Sequence, residues 1–253
     1  MSAPPAALAG MTALVTGATR GLGRVIAEGF AAAGARVIVV ARGAEGCQRA
    51  AAEVSAATGA DVIPIACHVG RWDALDALVA EAYRRAERVH VLVNNAGSAP
   101  TYPAMAQISE ELFDKTVAVN LKGPLRLGAL IGARMVADGG GSIINISSVS
   151  AIRPRPGTAV YAAAKIGLGA VTDALAQEYA PSVRVNTIMA GPFLTDIARS
   201  WDMTVVGPRL AGYPAGRAGH PSEILGAAMY LAGPASSYTT GSVIRVDGGM
   251  AIA

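Results

Sequence analysis

The chain has 253 residues, of which 52% are hydrophobic and 15% are charged, and its formal net charge is +3. A chain of this length and composition buries a full core in one domain, which excludes a disordered protein. The arginines are scattered, without runs or interleaved aromatic residues, so we expect no nucleic-acid surface.

The cysteines and the N-terminal segment indicate the compartment. Cys47 and Cys67 show no metal-ligand spacing, and we expect both to be reduced and no metal site to be present. The N-terminus lacks the basic start and apolar core of a secretory signal, and no run approaches eighteen consecutive apolar residues. We therefore predict a cytoplasmic protein without a membrane span.

Short runs rich in valine and isoleucine alternate with alanine-rich stretches of helical periodicity. We predict strands over residues 11–16, 36–41, 61–66, 89–93, 141–147, 183–188 and 243–246. Helices are predicted over residues 21–33, 44–57, 71–86, 109–137, 158–180 and 221–232. This alternation predicts an α/β fold with a single domain, residues 1–253: a Rossmann-type, doubly wound sheet of about seven parallel strands with helices on both faces. The irregular segment 190–220 is predicted to form a lid over a binding site.

The first predicted strand runs into a glycine-rich turn, and a helix follows it. The glycines of this turn have the spacing G-x-x-x-G-x-G. Glycines allow a tight turn and a close approach of the backbone to a pyrophosphate, and the amides at a helix N-terminus bind anions. We predict a dinucleotide-binding turn, and the alternative is a connection that binds nothing. The predicted contacts are Gly17, Thr19, Arg20, Gly21, Leu22 and Gly23.

The end of the second predicted strand bears on which dinucleotide binds. An acidic residue about 20 residues after the turn would bind the ribose 2′-hydroxyl of NAD. Here the strand ends at Arg42 instead. A guanidinium matches phosphate oxygens, so Arg42, with Arg20 as a second cation, favours NADP(H) over NAD(H). The alternative is that Arg42 is a solvated residue at a strand end.

Tyr161 and Lys165 lie four residues apart on the helix predicted over 158–180, and therefore on one face of it. Lysine is rare in this chain, with three against eighteen arginines. A cation near a phenol lowers the pKa of the phenol, which makes Tyr161 a candidate proton donor or acceptor for carbonyl or alcohol chemistry. Taken alone, the pair also fits an exposed tyrosine and lysine on a helix surface.

Several motifs stand in order along the chain: the turn at 16–23, N-N-A-G at 94–97, Asn120 in VAVNLKG, Ser148 in IINISSVSA, Y-x-x-x-K at 161–165 and TGSVIRVDGG at 240–249. With these motifs the chain resembles the short-chain dehydrogenases/reductases from about residue 10 to residue 249. The resemblance implies hydride transfer between a nicotinamide dinucleotide and a carbonyl or secondary alcohol.

The resemblance also implies roles for individual residues. Ser148 would polarise the carbonyl, Tyr161 would exchange a proton with its oxygen, and Lys165 would lower the pKa of Tyr161 and hold the nicotinamide ribose. Asn120 would hold a water that links Lys165 to solvent. Further cofactor contacts are implied at His68, Val69, Asn95, Ala96, Gly97, Pro192 and Thr195, besides Tyr161 and Lys165 themselves.

Two positions depart from the family pattern. His68 stands at the end of the third predicted strand, where the family often has an aspartate that contacts the adenine. Ala190 replaces the proline that the family places before Gly191. These departures affect the predicted adenine contact and the entry to the lid.

The leading hypothesis is an NADP(H)-dependent carbonyl reductase or alcohol dehydrogenase. The alternatives are an NAD-dependent alcohol dehydrogenase and a 3-oxoacyl-carrier-protein reductase, which we would expect to carry a dense basic surface that the sequence does not show. A non-catalytic nucleotide-binding scaffold is least favoured, because such a protein should have lost Ser148, Tyr161 or Lys165.

The substrate and the assembly follow less directly from the sequence. The lid offers an apolar set that suggests an apolar substrate, unless these residues pack against the protein or a partner subunit: Phe193, Ile197, Trp201, Met203 and Tyr213. Arg153 and Arg155 would either meet an anionic substrate or remain solvated. The resemblance implies a homotetramer, and we expect a small-molecule substrate and no membrane partner.

Overall fold

A computed structural model describes residues 7–196, 198 and 201–252, so the predicted lid residue Ile197 lies outside the described residues. All seven predicted strands are present, with ends shifted by at most two residues. They are β1 (Thr12–Thr16), β2 (Arg36–Ala41), β3 (Val62–Ala66), β4 (Val91–Asn94), β5 (Gly141–Ser148), β6 (Val183–Ala190) and β7 (Val243–Val246).

The helices largely follow the prediction as well. They are α1 (Gly21–Ala32), α2 (Ala44–Thr58), α3 (Trp72–Ala86), α4 (Glu110–Val117), α5 (Gly123–Ala137), α6 (Ala159–Glu178), α7 (Met203–Ala211) and α8 (Leu225–Ala232). The single helix predicted over 109–137 is divided by a π-helical turn, Ala118–Lys122. The helix predicted over 221–232 starts with a separate 3-10 turn, Pro221–Ile224.

Helix α7 lies inside the segment that was predicted to be irregular. The prediction was wrong there because Gly207 and Pro208, both poor helix residues, lie within the helix. Asp202 offsets part of this cost, since its side chain caps the helix by accepting a hydrogen bond from the amide of Thr204 at 2.9 Å.

The seven strands form one parallel sheet in the order β3-β2-β1-β4-β5-β6-β7. Alternate residues of a strand point to opposite faces, and both faces are buried. Val15 and Val39 pack in the cluster that contains α1 and α8, whereas Leu14 and Ile38 pack in the cluster that contains α3 and α5. The predicted doubly wound fold is confirmed.

The strand order reverses between β1 and β4, and this places the site. In an open parallel sheet, ligands bind at the carboxyl ends of the strands, at such a switch point. The turn after β1, the N-N-A-G loop after β4 and Ser148 at the end of β5 all lie at this edge of the sheet.

Among the described residues, one segment, Pro156–Glu178, is long and apolar enough to cross a membrane by length and composition alone. Core helices meet the same criteria, and α6 contacts β5, β6 and α5. The match is therefore weak evidence for a membrane span.

Candidate active site

The turn after β1 forms a backbone cradle that side chains would fill. Gly17 and Gly21 have φ values of +66° and +57°. A Cβ on Gly17 would lie 2.9 Å from the Cα of Ala96, and a Cβ on Gly23 would lie 2.5 Å from the carbonyl oxygen of Gly17. Only glycine satisfies both the backbone angles and the space. The cradle leads directly into the N-terminus of α1, a combination that suits a pyrophosphate.

Asn95 supports this cradle from the neighbouring loop. Its side-chain amide donates to the carbonyl oxygens of Thr16 at 2.9 Å and Gly17 at 3.3 Å. The hydroxyl of Thr16 accepts hydrogen bonds from the backbone amides of Asn95 and Ala96, both at 3.0 Å. The Asn95 side chain is thus engaged by the turn itself, and its direct contact with a cofactor stays a prediction.

Arg20 and Arg42 are both exposed at the same edge of the sheet. Arg20 immediately precedes α1, and Arg42 follows β2. Within the described part of the chain, neither guanidinium has a hydrogen-bond or ion-pair partner. The methyl group of Thr19 lies 3.8 Å from the place of a Cβ on Gly46, so the turn after β1 approaches the first turn of α2. Two unpaired cations at the end of β2 suit an anionic ligand, although solvated arginines would look the same.

His68 lies exposed at the carboxyl end of β3. Its Nδ1 accepts a hydrogen bond from the backbone amide of Gly70 at 3.1 Å. With Nδ1 acting as the acceptor, the neutral ring carries its proton on Nε2 and can donate it to a ligand. Val69 beside it is buried. The histidine thereby keeps a polar atom at the position where the family often has a carboxylate.

Asn120 joins the interrupted helix to the N-N-A-G loop. Its fully buried side chain donates to the carbonyl oxygens of Ser98 at 2.7 Å and Thr116 at 2.9 Å, and it accepts from the amide of Ser98 at 3.3 Å. A Cβ on Gly97 would lie 3.0 Å from the Asn120 oxygen. The π-helical turn shifts the backbone bonding here, as such turns often do at functional sites.

Ser148, Tyr161 and Lys165 come together at the end of β5. Ser148 Oγ accepts a hydrogen bond from the amide of Ser150 at 3.2 Å. Lys165 Nζ lies 5.7 Å from the centroid of the Tyr161 ring and donates to the carbonyl oxygen of Ile146 at 2.8 Å. An ammonium has three protons to donate, and the described residues offer Lys165 only this one acceptor.

Burial dominates the protonation of both groups. It raises the pKa of Tyr161, and a hydrogen bond with Ser148 opposes this more weakly. It also lowers the pKa of Lys165 to about 8. The direction for Tyr161 is opposite to the sequence-based expectation, because the lost hydration of the phenolate is the largest effect.

The lid region begins and ends at a backbone bridge. Gly219 donates to the carbonyl oxygen of Pro192 at 2.9 Å, and Leu194 donates to that of Gly219 at 2.9 Å. The methyl group of Thr195 lies 3.6 Å from the place of a Cβ on Gly21. A cavity of about 500 Å³ lies between α1 and this segment. The start of the lid therefore lies over the predicted dinucleotide turn.

The side chains predicted to line the substrate site differ in how far they are buried. Phe193 is 6% exposed and packs in the core, so it is not free to contact a substrate. Trp201 and Tyr213 are half-buried, and Met203 is exposed. Arg153 is not simply solvated, since it donates to the carbonyl oxygen of Ala251 at 3.1 Å.

The site fits a dinucleotide on two independent features: a cradle that admits only glycine, and a buried lysine that retains unused donors. Within the described residues, no three histidine, cysteine or carboxylate side chains lie close enough to hold a metal ion. The fold and the site together define a protein of the dinucleotide-binding, doubly wound class.

Comparisons with known proteins define the class more narrowly. Residues 17–251 match the family model described as enoyl-(acyl carrier protein) reductase. The 3-oxoacyl-[acyl-carrier-protein] reductase of Chlamydia trachomatis is 38% identical over 245 residues, which cover 96% of this chain and 98% of that protein. The chain belongs to the short-chain dehydrogenase/reductase family and is an oxidoreductase that acts on alcohol or keto groups.

Two further relatives differ in their cofactor. The NAD-dependent glycerol dehydrogenase of Listeria innocua is 32% identical over 242 residues, covering 95% of this chain and 93% of that protein. The L-sorbose reductase of Gluconobacter frateurii, solved with NADPH and L-sorbose, is 28% identical with a TM-score of 0.91, covering 99% of this chain and all of that one. Membership in the family therefore establishes an NAD(P)-dependent enzyme.

Sequence reasoning missed two features of the site. The first is the π-helical turn at Asn120, which a continuous helical pattern conceals. The second is the hydrogen bond that the hydroxyl of Tyr102 forms with the first turn of α6. The only signal for Tyr102 was an aromatic residue between Pro100 and Pro103 in a loop.

Proposed function

We propose that this enzyme transfers a hydride between NADP(H) and the carbonyl or secondary alcohol of a small-molecule substrate. The observation that carries the proposal is Lys165, a buried ammonium beside the ring of Tyr161 for which the described residues provide one acceptor. Burying a charge with incomplete hydrogen bonding is costly. Such groups concentrate at functional sites, where a ligand supplies the missing partners.

The bound nicotinamide supplies or accepts the hydride. In the reductive direction the hydroxyls of Ser148 and Tyr161 donate hydrogen bonds to the carbonyl oxygen, and the proton of Tyr161 moves to that oxygen as negative charge develops on it. The raised pKa of Tyr161 keeps the phenol protonated near neutral pH, which supports the reductive direction. In oxidation the phenolate takes the hydroxyl proton of the alcohol.

Lys165 and Asn120 have supporting roles in this proposal. The two unused protons of Lys165 would bind the ribose hydroxyls, and its charge would stabilise the phenolate that forms when Tyr161 gives up its proton. Asn120 would hold a water through which that proton is replaced. Its buried side chain, bound to Ser98 on both sides, supports a rigid backbone at this point.

The preference for NADP(H) rests on Arg42 and Arg20. Fluorescence titration with NADPH and NADH tests this preference in the wild type and in Arg42→Ala. The control is Arg49→Ala, which removes an exposed arginine of α2 that pairs with Glu45. We expect tighter binding of NADPH, a loss of about tenfold or more in Arg42→Ala, and no change in Arg49→Ala. Equal binding of both dinucleotides, or an unchanged Arg42→Ala, would contradict the preference and favour the NAD-dependent alternative.

A 3-oxoacyl-carrier-protein reductase is the second candidate, and the Chlamydia trachomatis relative at 38% identity favours it. The two candidates share their chemistry and differ in the group that carries the carbonyl. Steady-state rates with 3-oxoacyl thioesters and with small ketones or keto sugars separate them. A thioester preference above a hundredfold would establish the second candidate.

We also propose a cytoplasmic homotetramer. Large apolar side chains are exposed on α4 at Phe113, on α6 at Ile166 and on β7 at Val243. Burial of such residues between subunits would remove apolar area from water. Sedimentation equilibrium at micromolar concentration tests the assembly, and a stable monomer would contradict it.

A further inference from the structure

Tyr102 connects the loop after β4 to the beginning of α6. Its phenol oxygen accepts a hydrogen bond from the backbone amide of Ala159 at 2.7 Å, across 57 residues of sequence. The side chain is 8% exposed. The hydroxyl proton is directed to the sulfur of Met105 at 3.8 Å. The hydroxyl therefore both accepts and donates a hydrogen bond within the protein.

The oxygen of Tyr102 binds the first turn of α6. The first amides of a helix have no partner within the helix and are usually capped by a neighbouring side chain. Thr158 occupies the cap position of α6, but its side chain makes no capping hydrogen bond. The amide of Ala159 donates to the carbonyl oxygen of Pro156, in the 3-10 turn Pro156–Thr158 that leads into α6, and to the oxygen of Tyr102, which is the side-chain acceptor at this end. Ala159 precedes Tyr161 by two residues in the same helical turn.

The loop that carries Tyr102 is attached at its other end as well. Ser98 is bound by the side chain of Asn120 through both its amide and its carbonyl oxygen, at 3.3 and 2.7 Å. Residues 98–102 thus span from Asn120 to the first turn of α6. A displacement of this loop would be transmitted to that turn.

We propose that Tyr102 is a positioning residue, whose hydroxyl holds the first turn of α6 so that the Tyr161 hydroxyl lies opposite Ser148. The proposal rests on the proposed function, in which Tyr161 exchanges a proton with the substrate. Proton transfer is sensitive to small errors in geometry. Displacement of the Tyr161 phenol would lower the rate while dinucleotide binding continues, because the glycine cradle lies at β1 and Lys165, which would bind the ribose, is held separately by the carbonyl oxygen of Ile146.

The test compares Tyr102→Phe with Tyr179→Phe. Tyr179 stands at the other end of α6, where its hydroxyl donates to the carbonyl oxygen of Ala129 at 2.9 Å. Each variant removes one hydroxyl and one hydrogen bond to a backbone atom, and each keeps the ring. We expect kcat to fall on the order of tenfold in Tyr102→Phe, with the Kd for NADPH within about twofold. Tyr179→Phe should retain kcat.

Two further measurements separate positioning from general stability. The apparent pKa in the pH profile of kcat for alcohol oxidation should shift in Tyr102→Phe only. Hydrogen exchange of the peptide that contains Ala159 should accelerate in Tyr102→Phe only. Equal kcat values and pH profiles in the two variants, or losses of kcat that simply follow the melting temperature in both, would overturn the proposal.

A readout without turnover keeps the proposal independent of the substrate. The phenol of Tyr161 can be titrated by ultraviolet absorbance and assigned by its loss in Tyr161→Phe. We expect its pKa to change in Tyr102→Phe and to stay in Tyr179→Phe. An unchanged titration would overturn the positioning role. If the pKa of Tyr161 changes in Tyr102→Phe as expected but the wild-type enzyme reduces no carbonyl, the positioning role would stand and the proposed function would be contradicted.

Discussion

Asn95 donates two hydrogen bonds to Thr16, one from its backbone amide to the hydroxyl at 3.0 Å and one from its side chain to the carbonyl oxygen at 2.9 Å. Thr16 ends β1, and Asn95 follows β4, the strand that pairs with β1 on the other side of the switch point. The glycine turn is therefore attached to the loop that leads to Asn120. A change at Thr16 should affect both stability and dinucleotide binding.

Thr16→Val keeps the shape of this buried side chain but removes the acceptor of two backbone amides. We expect the free energy of unfolding to fall by about 1 to 3 kcal/mol, the cost of one unpaired group, because the amide of Ala96 loses its acceptor while the amide of Asn95 also donates to the carbonyl oxygen of Val93. Urea denaturation measures the loss, and NADPH titration should show weaker binding. Thr12→Val is the control on the same strand, because the Thr12 hydroxyl forms no hydrogen bond with the described residues. Equal effects of the two variants would show that the Thr16 hydroxyl is unimportant.

Gly23→Ala should fill the dinucleotide cradle. Its Cβ would lie 2.5 Å from the carbonyl oxygen of Gly17, a backbone atom that cannot move alone. We expect loss of NADPH binding by fluorescence and a lower melting temperature. Gly226→Ala in α8 meets nothing within 4 Å and should instead stabilise by about 1 kcal/mol. Normal NADPH affinity in Gly23→Ala would contradict the location of the pyrophosphate site.

Lys165→Met should abolish turnover and yet stabilise the protein without ligand. The pKa of Lys165 is lowered from 10.5 to about 8, so below pH 8 the folded protein bears the full cost of the buried charge. That cost is of order 3 kcal/mol, less about 1 kcal/mol for the hydrogen bond to Ile146. Between about pH 8 and 10.5 the unfolded chain binds the extra proton, so the stability of the wild type rises with pH.

The difference between the two proteins should therefore shrink as the pH rises through that window. Urea denaturation at pH 7 and at pH 10 measures it. Lys122→Met, at an exposed lysine in the π-helical turn, should show no such trend. A Lys165→Met protein that is less stable than the wild type at pH 7 would contradict the cost assigned to burial.

Tyr161 determines the expected pH dependence of turnover. Because burial raises its pKa, Tyr161 is protonated at neutral pH, the form that reduction requires, whereas the phenolate needed for oxidation forms at higher pH. We expect kcat for oxidation to rise with pH from 7 to 10 while reduction does not. Tyr161→Phe should lower both rates by about 10² to 10⁴. Tyr83→Phe, at a half-buried phenol of α3, should leave the profiles unchanged. Oxidation rates that are flat with pH would argue against Tyr161 as the base.

Much of the fold follows from patterns that are local in the sequence. The valine and isoleucine runs predicted β2 and β7 at their observed bounds. A strand such as β2, buried on both faces, is a continuous apolar run that can be recognised without knowledge of its partners. The break at Ala118–Lys122 and the helix α7 were not predictable in this way. A π-helical turn keeps the helical hydrophobic pattern, and α7 forms around Gly207 and Pro208 despite their low helix propensity.

The features of the candidate site also differ in whether they depend on local sequence or on tertiary packing. Sequence by itself determined the glycine spacing of the turn and the four-residue separation of Tyr161 and Lys165, since both depend only on chain geometry. Only the tertiary structure decided that Tyr102 caps the first turn of α6 and that the pKa of Tyr161 is raised. Both depend on which distant groups share a space and how much water they exclude, and packing alone sets those quantities.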